Sequence, residues 1–234
     1  MKIGAIVQAR MSSKRFPRKI LHEVAGKPLL QYLLGRLEHC DCLDKIVVGT
    51  SVDSSDTPIA DYCQQNRIAC YRGSLSNVAS RFIEILEIYQ FDVFVRVNGD
   101  SPLLDQRLIE KGTGILLNGN FDLVTNIYPR TYPKGQSVEI FPANAYRKAY
   151  DCMHEAEDLE HVTKYFYKNS EHFRIYNFAL EENLSGIQLS VDTWQDVDRY
   201  AKILSRMSRP HWEYTLEGIL QIYHSLVISG AVRP

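Results

Sequence analysis

What the chain lacks narrows the field before any motif is considered. No apolar run approaches the ~18 residues that cross a bilayer as a helix, so membrane insertion is not expected. The apolar stretch within Met1–Gln8 is too short for the core of a signal peptide. The five cysteines (Cys40, Cys42, Cys63, Cys70, Cys152) are odd in number and lack metal-ligand spacing, which reads as reduced thiols in a cytoplasmic protein. There is no excess of positive charge: 27 Lys and Arg face 28 Asp and Glu, a formal net charge of −1 that argues against a dedicated nucleic-acid binder. Internal repeats, low-complexity tracts and Gly/Ser/Pro linkers are missing. So are a G-x-x-x-x-G-K-[ST] loop and a G-x-G-x-x-G turn after the first strand, which excludes a P-loop ATPase and a dinucleotide-binding dehydrogenase.

What is present is a chain of 234 residues, 45% hydrophobic and 11% aromatic, enough for one large domain over 1–234 with a sizeable core. Compact runs of strand length stand at Ile3–Gln8, Lys45–Thr50 and Asp92–Val97. Between them lie helical patterns. Leu29–His39 follows Pro28 in its first turn. A second helix runs to about Asn66, with Asp56 as N-cap and Pro58 just inside. Val78–Tyr89 puts Val78, Phe82, Ile85, Leu86 and Tyr89 on one face. Beyond Gly119 the pattern predicts strands over Phe121–Thr125, Ser137–Phe141, Phe173–Phe178 and Ile187–Val191. It predicts helices over Ala143–Met153, Asp158–Lys168, Thr193–Arg206 and Trp212–Val227. Such alternation implies an α/β fold with a mainly parallel sheet flanked by helices. Ligands of these sheets bind beyond the carboxyl ends of the strands, so the loops after Gln8, Thr50, Val97 and Val191 are the ones to inspect.

The loop after the first strand holds the strong charge cluster. Residues 8–28 carry six cations (Arg10, Lys14, Arg15, Arg18, Lys19, Lys27) against one acid, Glu23. Guanidinium forks, ammonium groups and backbone N–H groups at a strand end suit a polyphosphate; a solvated basic loop or a lipid-facing patch is the alternative. At the end of the third long strand, Asn98-Gly99-Asp100-Ser101-Pro102 puts an aspartate in a turn, where Asp is also common simply because it bonds its own backbone. Val191-Asp192-Thr193 puts another before a helix, where it could be only an N-cap. Asp196 and Asp198 in that helix's first turns read as structural.

These segments together resemble the sugar-acid cytidylyltransferases, the 3-deoxy-manno-octulosonate and acylneuraminate enzymes, and most closely their spore-coat polysaccharide branch. The likeness rests on Gln8-Ala9-Arg10-Met11, Arg10-x-x-Ser13-x-Arg15-x-Pro17-x-Lys19, Gly26-Lys27-Pro28-Leu29, Gly99-Asp100-x-Pro102-Leu103 and Val191-Asp192-Thr193. It extends to Val48-Gly49-Thr50-Ser51, Asp56-x-Pro58-Ile59-Ala60, Tyr71-Arg72-Gly73-Ser74 and Asn77-Val78 with Arg81. It reaches from residue 3 to about 205; the segment from Pro210 to Pro234 carries none of it. The resemblance implies a single-domain, Rossmann-like (GT-A-like) nucleotidyltransferase that joins CTP to a sugar or sugar acid with Mg²⁺, giving a CMP-sugar and pyrophosphate for cell-surface polysaccharide synthesis. It implies Arg10 and Lys19 on the triphosphate with Ser13 and Arg15 as helpers, and Asp100 and Asp192 as metal ligands. Gln8, Ala9, Asn98, Gly99 and Gly73 would border the nucleotide. Arg72 and Arg81 are candidates near the base, with surface arginines as the equal alternative.

Lys134-Gly135-Gln136-Ser137-Val138-Glu139 and Glu160-His161-Val162-Thr163 also resemble that branch and fall where the sugar would lie. Gln136, Glu139 and His161 are therefore candidate substrate residues, with Glu139 or His161 able to aid deprotonation; for His161 a packed helix face at a subunit contact is the alternative. The branch pattern would be Gly-x-Asp-Val-Glu, and Gln136-Ser137 depart from it, which touches sugar specificity more than chemistry. A homodimer, through a dimerisation or sugar-binding insertion around residues 128–180, is the family habit; aromatic residues (Tyr128, Tyr132, Tyr146, Tyr150, Tyr165, Phe166, Tyr167) are dense there. Two rivals differ in kind. A nucleotide-sugar-dependent glycosyltransferase would show a D-x-D motif at a strand end, and none follows a strand here. A non-catalytic nucleotide-binding relative would have lost Arg10, Lys19, Asp100 or Asp192, and all four stand.

Overall fold

A computed structural model describes residues 1–13 and 15–232; Lys14, one of the loop cations, lies outside the described residues. The chain opens with β1 (Ile3–Gln8), then a small hairpin, β2 (Glu23–Val24) and β3 (Lys27–Pro28). That hairpin turns at Ala25 and Gly26, both at positive φ (49° and 76°), the backbone that two-residue hairpins favour. The chain continues through α1 (Leu29–Leu37), β4 (Lys45–Ser51), α2 (Thr57–Gln65), β5 (Ala69–Gly73), α3 (Val78–Tyr89), β6 (Val93–Asn98) and α4 (Gln106–Asn118). After these come β7 (Leu123–Thr125), β8 (Glu139–Pro142), α5 (Ala143–Tyr150), α6 (Ala156–Glu160), α7 (Lys164–Lys168), β9 (Ile175–Asn177), α8 (Trp194–Ser205) and α9 (Leu216–Ile228).

Seven strands form one sheet in the order β5-β4-β1-β6-β8-β7-β9. β1 lies between β4 and β6, parallel to both, with Gln8 opposite Gly49 on one side and Asn98 on the other. β8 alone runs against its neighbours β6 and β7. The sheet is buried on both faces, which is why its central strands read as nearly continuous apolar runs. Ala5 and Val7 join one core with Leu30, Leu33, Ile109, Tyr200 and Ile219 of α1, α4, α8 and α9. Ile6 turns the other way and meets Phe82, Phe94, Phe141, Tyr146 and Phe166 in the second core.

Several expectations change in detail. Residues 128–180 supply β8 and β9 to the one sheet. Three of their aromatics, Tyr132, Tyr146 and Phe166, are core, while Tyr128 stays exposed. Asp158–Lys168 is not one helix. α6 ends where His161 leaves helical geometry, and the following Val162 and Thr163 are buried before α7 begins. Ile187–Val191 forms no ladder: it meets residue 134 through one bridge, Lys134 to Gln188. The partner there is a turn at Gly135 (φ 94°), where the backbone runs so close that a Cβ would lie 2.5 Å from Ser190 N. Trp212–Val227 begins as a separate 3₁₀ turn, His211–Glu213, ahead of α9.

Candidate active site

The basic loop leaves the sheet between β4 and β6. Ala9 N–H donates to Gly49 O at 3.2 Å and Gly99 N–H to Gln8 O at 2.9 Å. Gly99 permits this approach, because a Cβ there would sit 3.1 Å from Gln8 O and 3.3 Å from Ala9 Cβ. The loop then folds on itself, with Ser13 N–H and Arg18 N–H both donating to Met11 O at 2.9 Å. Ser13 Oγ accepts weakly from Phe16 N–H at 3.4 Å. Phe16 plugs the loop into the molecule against Trp194 (centroids 4.3 Å apart) and His22 (5.2 Å). Arg10 and Arg15 are left exposed, while Lys19 begins a 3₁₀ turn and is buried.

Lys19 Nζ is the centre of the site. It donates to Asp100 Oδ2 at 2.6 Å and to Asp192 Oδ1 at 2.8 Å. Arg15 Nη2 also reaches Asp192 Oδ1, at 3.0 Å. The two aspartate segments are tied directly, by Val191 N–H donating to Asp100 O at 2.9 Å. Partial burial alone would raise the Asp192 pKa. The Lys19 hydrogen bond and the Lys19 and Arg15 charges outweigh that and hold the carboxyl below its ordinary range. Asp192 caps no helix; Thr193 does, in a reciprocal capping box with Asp196, and Asp198 pairs with Lys202.

The donor set fits a hard divalent cation. Among the described residues, the second oxygens, Asp100 Oδ1 and Asp192 Oδ2, have only 3.5 Å partners, Ser101 Oγ and Gln188 Nε2. Among the described residues no group of three or more His, Cys, Asp or Glu gathers for a metal. Two carboxylates facing cations that can hold phosphate match the way Mg²⁺ is bound, by one or two carboxylates plus substrate oxygens.

Other candidates divide. Gln8 lies beside the site with Oε1 accepting from Arg96 Nε and Nη2 at 3.3 and 3.1 Å. Asn98 ends β6 and accepts from Ser101 N–H at 3.2 Å. Arg81 is buried with one weak bond, Nη1 to Gly49 O at 3.5 Å, and Nε finds no partner among the described residues. Gly73 makes room for it: a Cβ there would lie 2.4 Å from Arg81 Cγ. Arg72 is engaged elsewhere. Its Nε donates to Ser51 O and its Nη2 to Asp53 O, both at 2.9 Å, which clamps the β4–α2 connection rather than a base.

Of the three candidate substrate residues, Gln136 is a brace. It is fully buried, with Nε2 donating to Leu103 O at 2.7 Å and Oε1 accepting from Asp105 N–H at 2.9 Å, so it does not offer itself to a substrate. Glu139 is 1% exposed and already bonded, by Arg96 Nη1 at 2.5 Å and Tyr167 O–H at 2.7 Å; it can act only through those partners. His161 is exposed at the end of α6, and its neighbour Glu160 lies 3.8 Å from Arg10 Nη1.

Sequence reasoning missed Arg96 and Trp194 as residues that shape the site, and took Asp56 only as a helix cap. An arginine within the apolar run of β6 was a legible signal for Arg96. Nothing local distinguished Trp194.

Comparison with known proteins places this geometry. A family model described as "Cytidylyltransferase" matches residues 4–214. An uncharacterized protein of Methanocaldococcus jannaschii is 36% identical over 87% of this chain and 83% of its own length. The spore coat polysaccharide biosynthesis protein SpsF of Bacillus subtilis is 28% identical over 82% of each chain. The solved structure of a cytidylyltransferase from Leptospira borgpetersenii superposes with a TM-score of 0.90 at 26% identity, covering 99% of this chain and 96% of that one.

Proposed function

The chain belongs to the cytidylyltransferase family and is a nucleotidyltransferase, and we propose that it transfers the cytidylyl group of CTP to a hydroxyl of a sugar acid. In that reaction the hydroxyl oxygen bonds to the α-phosphorus, the bond from that phosphorus to the β-phosphate bridge breaks, and pyrophosphate leaves as the hydroxyl gives up its proton. Catalysis of such transfers is mostly positioning and charge stabilisation. Arg10, Arg15 and Lys19 receive the triphosphate and neutralise charge growing on the leaving pyrophosphate. Ala9, Gly99 and Asn98 form the floor beside them. Arg81, short of partners, is the arginine available to the nucleotide. Asp100 and Asp192 would hold Mg²⁺, which when bound supplies positive charge to the phosphate oxygens.

The sugar side is bounded by Arg96, held between Gln8 and Glu139, and by the end of α6 at His161. The name of the Bacillus subtilis relative supports a CMP-sugar destined for surface polysaccharide. The observation that carries the reading is Lys19 bonded to Asp100 and Asp192 at once, in a member of this family. The test is pyrophosphate release for each nucleoside triphosphate against a panel of sugar acids and sugar phosphates, with and without Mg²⁺. The expected result is release with CTP, a sugar acid and Mg²⁺ together. Release with a sugar phosphate instead, or with EDTA present, would overturn the acceptor or the metal assignment respectively.

A further inference from the structure

Asp56 stands immediately before α2, where its type suggests a helix cap, yet its side chain makes no capping bond. It is fully buried, and its carboxylate is turned toward two other segments. Oδ1 accepts from Met11 N–H at 2.6 Å, 45 residues away in the basic loop. Oδ2 accepts from Ser51 Oγ–H at 2.5 Å and, more weakly, from Ser51 N–H at 3.3 Å, both at the end of β4. Ser51 Oγ in turn accepts from Asp53 N–H at 3.2 Å. Among the described residues no Lys, Arg or His makes an ion pair with Asp56, although its negative charge acts on buried Arg81. A carboxylate is costly to bury, and a helix start does not require it to be buried. The bond to Met11 falls one residue beyond Arg10 and at the residue whose carbonyl closes the loop on Ser13 and Arg18.

We propose that Asp56 is a positioning residue for the nucleotide: it fixes the loop that presents Arg10 and Arg15 by holding Met11 N–H to the end of β4. The inference rests on reading residues 10–19 as the phosphate-binding loop. Phe16 and Trp194 anchor the loop further along, and Asp56 anchors its start; the phosphate cations lie between or beside the two anchors. Without the carboxylate, Met11 N–H and Ser51 Oγ lose a buried acceptor and the loop loses its register on the sheet, while β1 and β4 keep their ladder.

The experiment measures CTP binding in the presence of Mg²⁺ by calorimetry, together with limited trypsin cleavage within residues 10–19 followed by mass spectrometry. Asp56→Ala is expected to weaken CTP about tenfold and to speed cleavage in the loop. Asp56→Asn keeps an acceptor for Met11 N–H and is expected to restore both to within about threefold of the parent. Ser51→Ala leaves the Met11 bond in place and removes only the hydroxyl's bonds to Asp56 and Asp53; it is expected to fall between them, so it tests the proposal if Asp56→Ala does not fold. Parent-like CTP affinity and cleavage in folded Asp56→Ala, or in Ser51→Ala where the alanine variant is unfolded, overturns the positioning role. So does an asparagine variant as weak as the alanine one. Failure of the unsubstituted protein to bind CTP would instead sink the functional reading on which the inference stands, a separate outcome.

Discussion

Lys19 is where opposite charges meet, and its surroundings say what each neighbour contributes. Asp100 comes from the turn after β6 and offers one oxygen to Lys19, while the other has, among the described residues, only Ser101 Oγ at 3.5 Å. Replacing Asp100 by Asn keeps the size and removes the charge. Turnover should be abolished while the melting temperature stays near that of the parent; substantial pyrophosphate release by folded Asp100→Asn would refute the metal role. That Asp100 and Asp192 both meet Lys19 fits their selection from sequence, where their context is short: a turn at a strand end, matched to a family segment. Asp196 was legible for the same reason, since its partner is Thr193, three residues away. Gln136 and Asp56 were misread because their partners are remote. Gln136 bonds to residues 31 and 33 positions distant, and a residue's type does not declare which distant backbone it will satisfy.

At the scale of elements, strands and helices with strong periodicity were readable almost to the residue: β1 and α3 match their expected spans. The second half was less so, because its segments are short and are shaped by contact with one another. The 3₁₀ turn at His211 shows how such contacts add pH dependence. His211 packs on α1, with Nε2 2.8 Å from Tyr32 O, and its own carbonyl accepts from buried Arg36. Burial, with Arg36, Lys27 and His39 adding like charge, depresses its pKa from 6.5 to about 4 despite the Tyr32 bond. The folded protein therefore refuses a proton that the unfolded chain accepts between those values. Stability from this group is full above pH ~6.5 and is lost as pH falls toward 4, a loss on the order of 2–3 kcal/mol. Urea unfolding at a series of pH values should show that slope, and His211→Gln, which retains a donor for Tyr32 O, should flatten it. An unchanged slope in the variant would mean the titrating group lies elsewhere.

Across the whole molecule the site belongs to no single segment. β1 delivers the cations, β6 delivers Asp100, and the approach to α8 delivers Asp192, 173 residues from the lysine it meets. The antiparallel β8 adds Glu139 opposite Arg96 beside β1. A nucleotide bound with Mg²⁺ would link all three contributors and should therefore stabilise the fold as a unit. At a CTP concentration a hundred times its dissociation constant the gain is about 2.7 kcal/mol, which for a chain of this size is a rise of roughly 5–10 °C in melting temperature. Part of the linkage would run through Asp100 and Asp192, whose charges oppose the triphosphate unless a cation lies between. Chelation with EDTA should thus remove most of the rise, and Asp100→Asn should show the small rise with or without Mg²⁺. Equal stabilisation of the parent protein in Mg²⁺ and in EDTA would show that CTP is held by the basic loop alone and that the paired aspartates serve only to seat Lys19.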